Sequence, residues 1–254
     1  MSITAALITK NEERNIEECL ETVRWADEIV MVDCGSTDRT MEKAKPFGAK
    51  VYEVPFRDFA SQKNAALERA TGEWVFFVDA DERVPKELAE EILEICRSSA
   101  PPKIYGVNRL TYFFGNRLRF SAAQDDYPFR LFPRTRAHFE QPVHERVITE
   151  LPEGRLKNRL IHYSTRDLAQ YQSKLDQYVP LELEVLRRKG KRRMSVDWLL
   201  RPVAKFLYLY VWRLGILDGF AGFQYAWLSA YYTFIKYWRF YFSQPERQAE
   251  AVTR

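Results

Sequence analysis

Asp79 and Asp81 stand one residue apart, followed at once by Glu82 and Arg83, at the end of the apolar run Trp74-Val75-Phe76-Phe77-Val78. Two hard oxygen donors at that spacing suit a divalent cation that keeps several waters and also binds a diphosphate. Five apolar, β-favouring residues in a row read as a strand covered on both faces, the kind found inside parallel sheets. Such a strand delivers the carboxylates that follow it to the rim where α/β sheets bind ligands. The competing role for the same acids is a polar turn that closes the strand and caps a helix opening at Pro85.

The preceding residues supply the rest of such a sheet. Ile3 to Ile8 is apolar and runs into Thr9-Lys10-Asn11-Glu12. A helix is expected from Asn15, with Glu18 completing a capping box, and Ile16, Cys19, Leu20 and Val23 recur at helical spacing. Glu28 to Val32 reads as a second strand ending in Asp33-Cys34-Gly35-Ser36-Thr37-Asp38, with a helix from about Thr37 to Lys45. Lys50 to Val54 reads as a third strand, Phe59 to Ala70 as a helix stopped by Gly72, and the aspartate-bearing strand is the fourth. This alternation predicts an α/β fold on a doubly wound, mainly parallel sheet. The polar clusters after three of its strands, Thr9/Asn11/Glu12, Asp33/Ser36/Asp38 and Asp79/Asp81, should meet at one edge.

The order Leu7-Ile8-Thr9-Lys10-Asn11-Glu12, Val32-Asp33-Cys34-Gly35-Ser36-Thr37-Asp38, Gln62-Lys63-Asn64 and Asp79-Ala80-Asp81-Glu82 resembles family 2 glycosyltransferases of the GT-A fold. Arg130-Leu131-Phe132, Val143-His144-Glu145, Leu160-Ile161-His162 and Gly219-Phe220-Ala221-Gly222-Phe223 resemble the bacterial branch that includes lipopolysaccharide-core β-1,4-glucosyltransferases. Cys34 departs from the pattern, which would place a small polar or acidic residue there. The resemblance implies a UDP-sugar donor, most simply UDP-glucose, Mg²⁺ or Mn²⁺, and inversion at the anomeric carbon. Thr9, Asn11, Glu12, Asp33 and Lys63 would hold the nucleotide. Asp81 would ligate the metal, and Asp79 would meet the ribose or the metal.

An inverting transferase needs a carboxylate to take the proton of the acceptor hydroxyl. Glu145, beside His144 and after Pro142-Val143, is the candidate, with Asp125 and Asp126 as rivals; its bland alternative is a salt bridge to Arg146. His144 or His162 could complete the metal shell, although His162, behind Leu160-Ile161, reads more simply as a hydrogen-bonded core residue. Asp33 could instead be a turn acid, and Lys63 a solvated helix residue. Two other function classes stay open. A nucleotidyltransferase would show a glycine-rich loop after the first strand, and Thr9 to Arg14 contains no glycine. A silent nucleotide-sugar-binding scaffold would show no turnover.

At 254 residues the chain can bury a substantial core, and its formal charge of +4 is too small to imply nucleic acid. Three cysteines without metal spacing point to a reducing cytosol, and no secretory leader is read at the N-terminus. The organisation is expected to divide near residue 165: a catalytic domain over 1–165, with its nucleotide-sugar half about 1–85 and acceptor half about 86–165, then a helical region over 166–254. That region reads as Leu168 to Leu186 interrupted at Pro180, Val196 to Leu217, and Gln224 to Phe242, with the basic run Arg187 to Arg193 between the first two. Its aromatic density, punctuated by Arg213, Lys236 and Arg239, predicts helices lying in the interface of an anionic membrane. The enzyme would then sit peripherally on the inner face of the cytoplasmic membrane, beside a glycolipid or lipid-linked saccharide acceptor. The alternative is a homo-oligomer that buries those aromatics.

Overall fold

Alternation along three strands builds the two apolar layers that define the fold. In β1 (Ile3–Thr9), Ile3, Ala5 and Leu7 enter one layer and Ala6 the other. In β2 (Glu28–Asp33), Ile29 and Met31 join the first and Val32 the second. In β4 (Trp74–Phe77), Trp74 and Phe76 join the first, Val75 and Phe77 the second. Helices α1 (Ile16–Glu21) and α4 (Lys86–Arg97) cover the first layer, and α3 (Phe59–Arg69) covers the second. Burial on both faces is why these strands read as unbroken apolar runs.

This computed structural model describes residues 1–121, 127–141, 145–188 and 196–242. Its chain separates into two units, Met1–Thr165 and Arg166–Arg254. In the first unit β1 pairs in parallel with β2 and β4, and β2 with β3 (Lys50–Glu53), giving the order β3-β2-β1-β4. That order reverses direction between β1 and β4, which opens a crevice beyond their carboxyl ends.

Beyond β4 the sheet departs from a simple doubly wound pattern. Strand β8 (Phe129–Pro133) runs antiparallel to both β4 and β6 (Ile104–Phe113), and β11 (Glu153–Thr165) runs parallel to β6. The two-residue β5 (Glu82–Arg83) closes the order, antiparallel to β11. Among the described residues α4 is the one α-helix between β4 and β11. Without a helical crossover for each strand, antiparallel neighbours are the accessible arrangement. A two-stranded hairpin of β9 (His138–Glu140) and β10 (Arg146–Ile148) stands apart from the main sheet.

Several helix boundaries differ from expectation for local reasons. The capping box at Asn15 does not form: no side chain caps α1, and Glu18 pairs instead with Arg83 at 2.8 Å. Helix α2 (Thr40–Ala44) starts later than Thr37, because Ser36, Thr37 and Asp38 are bonded to residues 11–13. In the second unit α5 (Leu168–Arg188) continues through Pro180. Helix α6 (Asp197–Leu207) passes into a π-helical turn, Tyr208–Trp212, and the chain reverses at Leu214 with φ of 55°. Helix α7 (Gly219–Phe242) then opens against the short 3₁₀ turn Gly215–Asp218. A Cβ on Gly222 would fall 1.9 Å from the Gly215 carbonyl oxygen, so only glycine fits there. Leu175, Val179 and Leu183 of α5 pack with Phe240 of α7. Glu182 meets Tyr232 at 2.9 Å and Lys236 at 2.7 Å. Among the described residues no helix is long and apolar enough to cross a membrane.

Candidate active site

The loops after β1 and β2 are clasped together by side chains. Asp33 is fully buried. Its Oδ1 accepts from the Gly35 and Ser36 amides at 3.0 and 2.7 Å, and its Oδ2 from Thr9 Oγ1 and Ser36 Oγ at 2.8 and 2.6 Å. All four acceptor directions of the carboxylate are thereby taken. Asp33 therefore displays the turn-acid role, and what it offers a ligand is the shape of the Gly35–Ser36 loop. Asn11, held at a left-handed φ of 56°, donates its amide to Ser36 Oγ and accepts at Oδ1 from the Thr37 amide, both at 2.8 Å. The Glu12 amide donates to Thr40 Oγ1 at 2.7 Å. Cys34 is accommodated: its thiol donates to the Thr9 carbonyl at 3.2 Å, and burial pushes its pKa up, so it stays a neutral thiol.

After β4 the acids take different partners. Arg130, buried on β8, clamps both oxygens of Asp79, with Nη1 at 3.3 Å from Oδ1 and Nη2 bonded to Oδ2. The same Nη2 donates to Glu82 Oε1 at 2.8 Å, and Arg109 of β6 donates there at 3.3 Å. Glu82 Oε2 folds back to accept the Asp79 amide at 2.9 Å. Burial opposes the charge on Asp79, but Arg130, with Lys63 and Arg109 behind it, wins and holds the carboxyl well below the usual carboxylate range. Burial likewise opposes the Arg130 charge, and Asp79 and Glu82 overcome it, pushing its pKa further up. Neither aspartate caps α4, whose N-cap is Pro85.

Asp81 points elsewhere. Its Oδ2 lies 3.7 Å from His162 Nε2, and both side chains are largely shielded. Register places His162 opposite Glu82 in the β11–β5 pairing, so the two-residue β5 is what carries Asp81 to the histidine.

Lys63 and Glu145, 82 residues apart, are brought together from α3 and the position just before β10. Lys63 Nζ, on buried α3, bonds Glu145 Oε1 and lies 5.4 Å from the centre of the Phe139 ring. Glu145 precedes β10, and its salt bridge is with Lys63, not with its neighbour Arg146. Asn64 does not face the crevice as a ligand-binding amide would, but bonds the Phe139 backbone. Asp125, Asp126 and His144 lie outside the described residues. A cavity of about 290 Å³ at the opposite, amino-terminal edge of the strands is lined by Asp27, Glu28 and Lys50. Glu28 is already satisfied there by Thr4, Lys50 and Thr71, so no chemistry is left to that cavity.

Residues 4–171 match the family Glycosyl transferase family 2. The chain belongs to that family. It is 29% identical over 248 residues to the lipopolysaccharide core biosynthesis glycosyltransferase LpsC of Rhizobium meliloti, covering 91% of each chain. It is 28% identical over 247 residues to an uncharacterized glycosyltransferase of Rickettsia typhi, covering 92% of this chain and 85% of that one. Among solved structures, S. aureus TarS 1–349 in complex with UDP-GlcNAc aligns with a TM-score of 0.50 at 14% identity, covering 96% of this chain and 93% of that one. That likeness is one of fold. The protein is thus a glycosyltransferase with a GT-A-like α/β fold, as the strand-end motifs led us to expect.

The donor set of this family 2 glycosyltransferase fits a divalent cation. Neighbouring ligands around an octahedral ion with bonds of 2.0–2.1 Å stand about 3 Å apart, and a small side-chain rotation closes Asp81 and His162 from 3.7 Å to that spacing. His162 Nδ1 is buried without a hydrogen-bond partner among the described residues, so no hydrogen bond there opposes a change of ring orientation. Among the described residues no group of three His, Cys, Asp or Glu is placed to hold a metal ion. A cation held by Asp81 and His162 would take its remaining ligands from diphosphate and water, the usual habit of Mg²⁺. Two residues stand closer to the candidate acids than their sequence context suggested. His162 looked like a core residue because it follows two apolar ones, and Arg130 was visible only as part of a motif. The signal for Arg130 was a lone arginine inside an apolar strand, which needs buried acids to neutralise it.

Proposed function

We propose that this glycosyltransferase moves a hexosyl group from a UDP-sugar to a saccharide on a glycolipid or lipid carrier, with inversion at the anomeric carbon and dependence on Mg²⁺ or Mn²⁺. The observation that supports this most is the pairing, at the carboxyl edge of the sheet, of Asp81 with His162 and of Lys63 with Glu145. Glu145 takes the proton of the acceptor hydroxyl as that oxygen bonds to the anomeric carbon, and the bond to the diphosphate oxygen breaks on the opposite face. Asp81 and His162 would hold the metal, with His144, which lies outside the described residues, as the further candidate ligand; when bound, the metal offsets the charge growing on the leaving diphosphate. Lys63 supplies protein-borne positive charge for the same diphosphate. Thr9, Asn11 and Glu12 hold the nucleotide together with the loop that Asp33 shapes. Asp79, neutralised by Arg130, meets the ribose. Glucose is the first donor sugar to test.

The acceptor reading is supported by likeness to a lipopolysaccharide core enzyme and by the surface of the helical unit. Trp212, Phe220 and Trp227 are 80%, 73% and 59% exposed there. Residues 166–254 hold fifteen lysines and arginines against eight aspartates and glutamates. Exposed aromatics with flanking cations suit helices lying in an anionic membrane surface. On this reading residues 1–165 are the catalytic domain, working at the cytoplasmic face of the membrane.

Isothermal calorimetry tests the core of the proposal. UDP should bind in Mg²⁺ or Mn²⁺ and lose about tenfold or more in affinity with chelator or in Asp81→Asn. Equal UDP affinity in metal and in chelator would refute the metal dependence. Hydrolysis of none of a panel of nucleotide sugars would favour the binding scaffold.

A further inference from the structure

Strand β9 has a backbone edge that faces away from its hairpin partner, and one side chain occupies it. Phe139 stands opposite Val147 in the β9–β10 register. Asn64 Nδ2 donates to the Phe139 carbonyl at 2.9 Å, and the Phe139 amide donates to Asn64 Oδ1 at 2.8 Å. A primary amide thus meets both peptide groups of Phe139, as the next strand of a sheet would. Asn64 is a central residue of α3, so the helix is fastened to the hairpin at this point.

The fastening bears on Glu145. Lys63, the residue before Asn64, pairs with Glu145. Arg146, the residue after Glu145, opens β10 opposite Glu140. The Phe139 ring is wedged against Phe77 at 4.8 Å and Phe132 at 6.0 Å between centroids, both edge-on. Two of the hairpin's attachments among the described residues are the Phe139 ring contacts and the Asn64 amide. The ring contacts seat β9 against the second apolar layer, and the paired hydrogen bonds add direction at the backbone of one residue. Paired hydrogen bonds to one residue fix the height of β9, and with it the height at which β10 presents Glu145.

We propose that Asn64 is a positioning residue for sugar transfer, acting through the β9–β10 hairpin to set Glu145 against Lys63. The inference rests on Glu145 being the base. Asn64 touches neither donor nor acceptor in this role. The amide is needed because its donor and acceptor answer a carbonyl and an N–H on the same residue. Asparagine→aspartate keeps the shape and the bond from the Phe139 amide, but turns a carboxylate oxygen toward the Phe139 carbonyl. Alanine loses both bonds.

The test uses the full-length enzyme with Asn64→Ala, Asn64→Asp, Glu145→Asp, Glu145→Gln and the combined variants. Displacing a catalytic group by about 1 Å costs about a hundredfold, so both Asn64 variants should lose transfer kcat on that scale. Their affinity for UDP with Mg²⁺ should stay within about twofold of the parent, since a binding interaction has not been removed. Hydrogen exchange at the Phe139 amide should accelerate in Asn64→Ala. In the Glu145→Asp background, where the carboxylate is already withdrawn, either Asn64 change should cost less than about threefold more, the non-additivity of residues acting as one unit. A purely structural role would give the same loss in both backgrounds. If Asn64→Ala is insoluble, the isosteric Asn64→Asp carries both arms. Parent-level transfer by the Asn64 variants, or full multiplication of their losses onto Glu145→Asp, overturns the positioning role alone. Parent-level transfer by Glu145→Gln overturns the base assignment and this inference with it.

Discussion

Replacing Arg130 by Met is expected to unsettle the catalytic unit more than removing either acid that Arg130 holds. In the parent one guanidinium neutralises Asp79 and Glu82 together. In Arg130→Met, Glu82, with no exposure of its side chain, keeps the Asp79 amide and, as its cation among the described residues, Arg109 at 3.3 Å. Removing one partner of a buried ion pair costs about 3–5 kcal/mol, because the charge left behind is uncompensated. Asp79 is about a third exposed and can draw on water, and Arg109 still serves Glu82, so the lower end, about 3 kcal/mol, is expected. At about 2–4 °C per kcal/mol for a unit of this size, Tm should fall by about 6–12 °C at pH 7. Acidification should narrow that gap. Arg130 depresses the Asp79 carboxyl in the folded parent, so the stability gained is present above the unfolded aspartate value near 4 and is lost as pH falls through the folded value. In the variant burial acts on that carboxyl against only the remaining pull of Lys63 and Arg109, so its pKa lies above the parent's and the gap closes as pH falls below about 4. Calorimetric melting of parent and variant between pH 7 and about pH 3 measures both effects. A Tm change below about 2 °C at pH 7, or a gap that widens on acidification, would refute the reasoning.

Strands β1, β2 and β4 were legible because each is buried on two faces, and an apolar run flanked by polar strand ends leaves little choice of structure, whereas β3 is a mostly exposed edge strand. Asp33 and Asp81 stood out as candidates for the same reason: each lies at or just beyond the carboxyl end of such a strand. The capping box at Asn15 failed because Glu18 found Arg83, 65 residues away, and a long-range charge pair outweighed a local cap. Lys63 and Glu145, 82 residues apart, could each be read as a candidate, but their pairing depends on how the β9–β10 hairpin docks on α3. The Asn64–Phe139 bonds, 75 residues apart, leave no mark on sequence periodicity at all. The mixed half was harder to read because β6, β8 and β11 alternate imperfectly. Each buries its faces unequally, so the residues at the edge look like those of a loop.

Two further outcomes follow from the same geometry. Glu145→Gln should keep UDP affinity within about twofold while transfer kcat falls by about 10²–10⁴, the span that general-base removal produces. Steady-state transfer alongside UDP calorimetry separates these, and normal transfer by this variant with loss in Asp126→Asn would move the base to Asp126. The helical unit should carry the full-length protein down with vesicles containing anionic lipid, and release it in high salt to the extent that its excess of cations contributes. Neutral vesicles should retain only the part due to exposed aromatics such as Trp212 and Phe220. Trp212→Ser with Phe220→Ser should therefore weaken binding to both vesicle types, whereas salt should weaken binding to the anionic vesicles alone. Protein that stays in the supernatant with every vesicle at low salt, and behaves as a defined oligomer without detergent, would assign the same aromatics to a subunit interface, because a surface this apolar must be covered by one or the other.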